Sequence, residues 1–177
     1  MRLFVALDPP EEIKQSLLPL LETLPAGRPS NFSQLHLTLF FLGNVADEDL
    51  NSIKETLAEI KEKSFTLQLK GVGCFPNIKR PRVLWVGIPL TEGLSQLKVK
   101  IDQALQTLGF QKEDRAFHPH LTLSRIKKPH PKGVEEYLNK NFSFQSGEFP
   151  VKEFYLFQSQ LTPKGSIYTK LAQFPLF

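Results

Sequence analysis

A chain of 177 residues, 41% apolar and 23% charged, has the size and composition of an ordinary soluble globular protein, with one domain or two small lobes sharing a core. Its single cysteine, Cys74, excludes an internal disulfide and reads as a small buried hydrophobe, and no apolar run approaches the length of a membrane span. The net charge of +4 fits an anionic ligand without requiring one, and the short, quickly polar start Met1–Asp8 is no signal peptide, so the cytoplasm is the expected location.

Arg2–Leu7 reads as a short buried strand stopped by Asp8-Pro9-Pro10. Ile13, Leu17, Leu20, Leu21 and Leu24 then keep helical spacing, with Glu11 and Glu12 at the positive end of that helix. Pro25–Ser30 reads as a loop and Leu35–Leu42 as a strand stopped by Gly43-Asn44. Asp47 is a candidate N-cap for a helix carrying Leu50, Ile53, Leu57 and Ile60. Phe65, Leu67 and Leu69 alternate with polar residues as in a half-buried strand, and Gly71–Pro81 reads as an irregular link or a bulged strand end.

The pattern then starts again. Val83–Ile88 is an apolar strand, in which Trp85 reads as core. Leu94, Leu97, Ile101, Leu105 and Leu108 make a helix with Gly109 as its C-cap. A polar loop, Gln111–Arg115, leads to a strand over His118–Ile126. A short helix over Lys132–Asn141 follows, then strands at Phe142–Phe144, Val151–Gln158 and Ile167–Leu171. Each half runs strand, helix, strand, helix, strand. This order predicts an α+β fold of two pseudo-symmetric lobes, each an antiparallel sheet with helices on its outer face, around a central cleft. Residues 1–177 would be one bilobal domain, with repeats near 1–75 and 82–160.

The halves share one sequence. His36-Leu37-Thr38-Leu39 recurs residue for residue as His120-Leu121-Thr122-Leu123, 84 positions later. Side chains alternate along a strand, so in each copy His and Thr share a face while the leucines point into the core. A pseudo-two-fold axis would line the cleft with two His-Thr pairs. An unperturbed imidazole has a pKa of about 6.5, so two histidines on opposite sides of a bound group can serve as general acid and general base, each contributing on the order of 10²–10⁴ in rate. The threonine hydroxyls add neutral donors for a phosphate between them. Hydrolysis of a cyclic phosphodiester suits this set, because it takes one proton from water and gives one to a tethered leaving oxygen. No Cys/His cluster and no acidic residue lies at metal-ligand spacing beside either motif.

His118 shares a strand face with His120 and reads as a supporting or surface residue; His130, between two prolines, reads as loop. Arg125, Lys127, Lys128, His130 and Lys132 form the densest basic cluster, either a solvated loop or a rim facing phosphate. A non-enzymatic RNA-binding module and a metal site built on His36 and His120 are the competing readings.

His36–Gly43, His118–Arg125 and the N-terminal Arg2–Leu7 resemble the paired motifs of the two-histidine (2H) phosphoesterases, most closely the LigT-like (ThpR) branch of RNA 2′,3′-cyclic phosphodiesterases, historically called 2′-5′ RNA ligases. That resemblance implies an enzyme without metal or cofactor. It would open a terminal RNA 2′,3′-cyclic phosphate, tRNA halves among the candidate substrates, to a 2′-phosphate, reversibly enough to ligate. It would act as a monomer. His36 would be the proton donor to O3′ and His120 the proton acceptor that activates water. Thr38 and Thr122 would bind the phosphate, while Phe41 and Arg125, each five residues after its histidine, would contact the terminal nucleotide. In a regular strand, however, that odd spacing puts Phe41 and Arg125 on the leucine face. A bend in the strand would be needed to bring them to the site. ADP-ribose cyclic phosphate or a cyclic nucleotide is the alternative substrate.

Overall fold

The structure is a computed structural model that describes residues 1–177. Strand β1 (Arg2–Leu7) is buried from Leu3 onward. Two short helices, α1 (Glu11–Gln15) and α2 (Leu18–Glu22), replace the single helix expected there. The break falls where Pro19 has no N–H to continue the ladder and its ring crowds the preceding turn. A two-residue strand, β2 (Arg28–Pro29), and a 3₁₀ turn at Phe32–Gln34 lead into the first motif strand, β3 (Leu37–Asn44). Next come α3 (Leu50–Ala58), β4 (Phe65–Lys70), β5 (Val72–Phe75), β6 (Val83–Gly87) and α4 (Glu92–Gln106). The second motif strand is β7 (His120–Arg125), followed by α5 (Pro131–Asn141), β8 (Gln145–Val151), β9 (Glu153–Thr162) and β10 (Gly165–Pro175).

Local chemistry explains most of these boundaries. Thr91 caps α4, its Oγ1 accepting the Leu94 N–H at 3.2 Å, and Gly109 turns the chain after the helix at φ +88°. Asp47 is not the N-cap of α3. It opens a 3₁₀ turn, Asp47–Asp49, and makes no side-chain capping bond. Phe142 prolongs the α5 turn instead of starting a strand, because its backbone stays helical and Phe144 N–H reaches back to the Asn141 carbonyl at 3.0 Å. The strand begins later, as β8, where Gly147 and Pro150 mask the alternation in the sequence.

The main sheet runs β10-β9-β1-β3-β7-β6-β5, and β4 pairs with β8 beside it. Every pairing is antiparallel. The two motif strands pair at one bridge, Leu37 opposite Leu121, and β2 pairs with β7 beside it. Leu37 and Leu121 are equivalent positions of the two motifs, which is where a two-fold axis would pass. The halves also exchange strands about it: β5 of the first half joins β6, and β9 of the second half joins β1. One cluster of 34 buried residues, including Leu37, Leu39, Leu121 and Leu123 together with apolar side chains of α1–α5, spans both lobes, so the halves share one core. No helix is long and apolar enough to cross a membrane.

Leu121 is wholly buried at the bridge. Leu121→Ala is expected to lower the unfolding free energy by about 2–5 kcal/mol, read from the urea midpoint. A loss below about 1 kcal/mol would mean that the bridge does not join the lobes tightly.

Candidate active site

With Leu37 opposite Leu121 and the strands antiparallel, His36 comes across from Thr122 and Thr38 across from His120. The four side chains therefore form a quadrilateral on one face of the sheet, with the two histidines on a diagonal. The four motif leucines are buried on the opposite face, at 2% exposure or less.

Phe41 and Arg125 also reach this face, by the same device. In the pairing of β1 with β3, the register jumps between Val5, opposite Phe40, and Ala6, opposite Thr38; Leu39 is the extra residue. In the pairing of β6 with β7, it jumps between Leu84, opposite Ser124, and Trp85, opposite Thr122; Leu123 is the extra residue. Each bulge sits at the second leucine of its motif and shifts the alternation by one. Leu39 and Phe40 are consecutive buried residues, as are Leu123 and Ser124, and the next residue in each strand is exposed. Phe41 stacks on Phe4 at 5.8 Å between ring centroids, and the Arg2 guanidinium lies 5.4 Å from the centre of its ring. Buried Ser124 is satisfied by donating its hydroxyl to the Ala26 carbonyl at 2.8 Å.

The two imidazoles are held alike. His36 Nδ1–H donates to the Gln34 carbonyl, and His120 Nδ1–H donates to the His118 carbonyl, each at 2.7 Å. A carbonyl can only accept, so this bond fixes the neutral tautomer with its lone pair on Nε2. His36 Nε2 lies 3.0 Å from the Thr38 hydroxyl, whereas His120 Nε2 has no protein partner. His118 thus acts through its backbone, which is why Gln34 can stand at the equivalent place. Its ring is exposed and lies against Trp85, with centroids 4.7 Å apart.

The surroundings differ between the two sides. Phe4 lies 4.9 Å and Tyr168 5.1 Å from His36, and Phe4, Ala6, Tyr155 and Phe157 form a separate buried cluster beneath it. Burial pushes the His36 pKa down to about 4; the Gln34 bond opposes that shift and the Arg125 charge adds to it. Burial also lowers His120, which is less enclosed, with the His118 and Arg125 charges acting in the same direction. Trp85 is half-buried on the site face, not core, because Leu84 and Val86 take the buried positions of that alternation.

One residue of the site was absent from the sequence reading. Lys14 is buried at 6% exposure, with its ammonium 2.6 Å from Asp8 Oδ1 and donating to the Ser33 carbonyl at 3.0 Å. It therefore braces the turn whose next carbonyl, that of Gln34, orients His36. A charge in register with Leu17 and Leu21, three and seven residues on, was the available signal. Phe4, Phe157 and Tyr168 left none, because their strands read simply as apolar.

A family model described as LigT-like phosphoesterase matches residues 7–85 and again 86–168. The chain belongs to the LigT-like phosphoesterase family. An Archaeoglobus fulgidus protein named RNA 2′,3′-cyclic phosphodiesterase is 41% identical over 98% of this chain and 99% of its own. A Methanocaldococcus jannaschii protein of the same name is 36% identical over 95% of this chain and 96% of its own. Among solved structures, the LigT of E. coli complexed with 3′-AMP superposes with a TM-score of 0.82, at 30% identity over 99% of this chain and 97% of that one. A Thermus thermophilus protein superposes equally well, TM-score 0.82, at 33% identity over the same shares. The likeness runs the length of the LigT-like fold and includes both motif strands.

Imidazole titration by NMR should place His36 near pH 4. Since its folded value lies below the unfolded one of about 6.5, the stability gained by keeping it neutral is complete above that pH and is lost as pH falls toward 4. The protein should therefore lose stability relative to a His36→Gln variant across that window. Lys14→Met removes a cation and leaves Asp8 less compensated, so His36 should titrate at higher pH while the fold, followed by thermal melting, is retained. An unmoved His36 titration would separate Lys14 from the site.

Proposed function

We propose that the protein hydrolyses RNA 2′,3′-cyclic phosphates to 2′-phosphates by two-histidine acid–base chemistry that needs no metal or cofactor. The observation that carries this reading is the pair of His-Thr sets facing one spot about the Leu37–Leu121 bridge. The substrate comes from the names of the relatives that match the whole chain. His120, whose Nε2 is free, takes a proton from water as the water oxygen bonds to phosphorus. The P–O3′ bond breaks, and His36 Nε2 gives its proton to O3′. Thr38, Thr122 and Arg125 hold the non-bridging oxygens as charge builds on them. Phe41, nearly half exposed on the site face, stacks on the terminal base.

His36 must be protonated to act as the donor, and in the free protein its burial works against that. A phosphate anion between the motifs raises both histidine pKa values, so substrate charge supplies the proton-binding that the protein alone disfavours. With an RNA 5′-hydroxyl attacking phosphorus in place of water, the same steps would form a 2′-5′ linkage, and run backwards they would cleave it. We take residues 1–177 as one bilobal domain with repeats near 1–75 and 82–160, acting as a cytoplasmic monomer on RNA ends, tRNA halves included. Another cyclic ester, such as ADP-ribose cyclic phosphate, would use the same phosphate chemistry with different base contacts.

A short RNA ending in a 2′,3′-cyclic phosphate should yield a 2′-phosphate end at an unchanged rate in EDTA. His36→Ala and His120→Ala should each lower kcat by about 10²–10⁴ without altering the melting temperature by more than a few degrees. Activity lost on chelation would replace this reading with a metal site; a cleaved RNA carrying a 3′-phosphate would reverse the leaving group.

A further inference from the structure

The two flanks of the His-Thr quadrilateral are not alike. On the His36 side, rings pack into a buried cluster beneath the imidazole. On the His120 side, Phe75, Trp85 and His118 lie on the same face of the sheet but belong to neither buried cluster. Phe75 and Trp85 are half-buried and His118 is exposed. They are held by one another: Phe75–Trp85 centroids are 5.1 Å apart, Phe75–His118 5.3 Å and Trp85–His118 4.7 Å. Phe75 also lies 5.0 Å from His120, so this group begins where the quadrilateral ends. Register explains the shared face, since Gly73 is opposite Trp85 and Trp85 opposite Thr122. Gly73 lets the indole lie flat on β5, because a Cβ there would overlap its six-membered ring. Three rings that the core leaves partly uncovered on a site face are a surface for a planar, apolar ligand.

Cations border it. Arg82 N–H donates to the Phe75 carbonyl at 2.8 Å, and its guanidinium donates to the Lys127 carbonyl. Lys79, Arg80, Arg82, Lys127 and Lys128 are all exposed along this edge. Aromatic rings interleaved with cations are the chemistry that binds single-stranded nucleic acid. The phosphate position accepts one group, and the terminal base is assigned to Phe41 on the other flank, so a second nucleoside is what the open flank can take.

Resting on the function proposed above, we infer that Phe75, Trp85 and His118 form a second nucleoside subsite, occupied by the penultimate nucleoside of the RNA, with its phosphates against Arg82 and the neighbouring cations. The penultimate nucleoside is tethered to the one undergoing reaction and so arrives at high effective concentration. The subsite makes the enzyme read two nucleosides where the chemistry needs one.

The test compares adenosine 2′,3′-cyclic phosphate with the dinucleotide of adenosine that ends in the same cyclic phosphate. The protein should show a kcat/KM about tenfold higher on the dinucleotide, the value of one stacked base. Phe75→Ala should bring that ratio close to one, and Phe75→Tyr should restore it. A merely structural defect lowers both rates together and leaves the ratio intact. Trp85 is the single tryptophan, so its fluorescence reports on the platform directly. The 2′-phosphate product of the dinucleotide should quench it, and that of the mononucleotide should not. Equal kcat/KM for the two substrates, or a preference that survives Phe75→Ala with Trp85 emission unmoved, would overturn the subsite. Absence of turnover on both substrates would overturn the proposed reaction, while Trp85 quenching would still decide the subsite.

Discussion

The antiparallel bridge between Leu37 and Leu121 is the constraint on which the rest of the molecule depends. It joins the two half-sheets, and it sets equivalent positions of the two motifs opposite each other. From that one register, His36 comes to Thr122 and Thr38 to His120 without further design. The leucines of the same strands lie in the shared core. The force that holds the lobes together is therefore also the force that aims the polar set. A change in core packing at this seam would be felt at the site, because the two functions use alternate residues of the same strands.

A repeated bulge completes the arrangement. Leu39 and Leu123 each add one residue against the neighbouring strand, and each returns the next polar-facing position to the site two residues later. Two residues of different chemistry, Phe41 and Arg125, reach the site face in this way. The pseudo-symmetry is thus one of backbone, while the side chains have diverged. An aromatic ring on one side and a guanidinium on the other suit a ligand that is not itself symmetric.

Divergence also separates the two histidines electrostatically. Both are oriented by a carbonyl two residues earlier, yet His36 is enclosed by Phe4 and Tyr168 and backed by the Asp8–Lys14 pair, whereas His120 opens onto Phe75, Trp85 and the exposed ring of His118. Burial disfavours the charged imidazole more strongly on the closed side. A bound phosphate acts on both with its negative charge, so protonation of the closed side is coupled to occupancy of the site.

Much of this was legible in the chain. Identical His-x-Thr-x runs, each set between two helices with an apolar strand before the first, determined the α+β class, the two motif strands and the face shared by His36, Thr38, His120 and Thr122, because strand alternation is a local property. The placing of Phe41 and Arg125 was not legible. Counted along a regular strand, both fall on the leucine face, and a bulge is a mismatch between two strands that neither strand contains alone. Trp85 looked like core for a similar reason: an apolar run does not say which of its faces the helices cover. Lys14 and Phe75 reach the site only through contacts between segments far apart in sequence. The sequence by itself determined which chemical groups are available and how they alternate, since that follows from neighbouring residues. Only the tertiary structure decided which groups share the site and how deeply each is buried, since register, bulges and enclosure arise between strands.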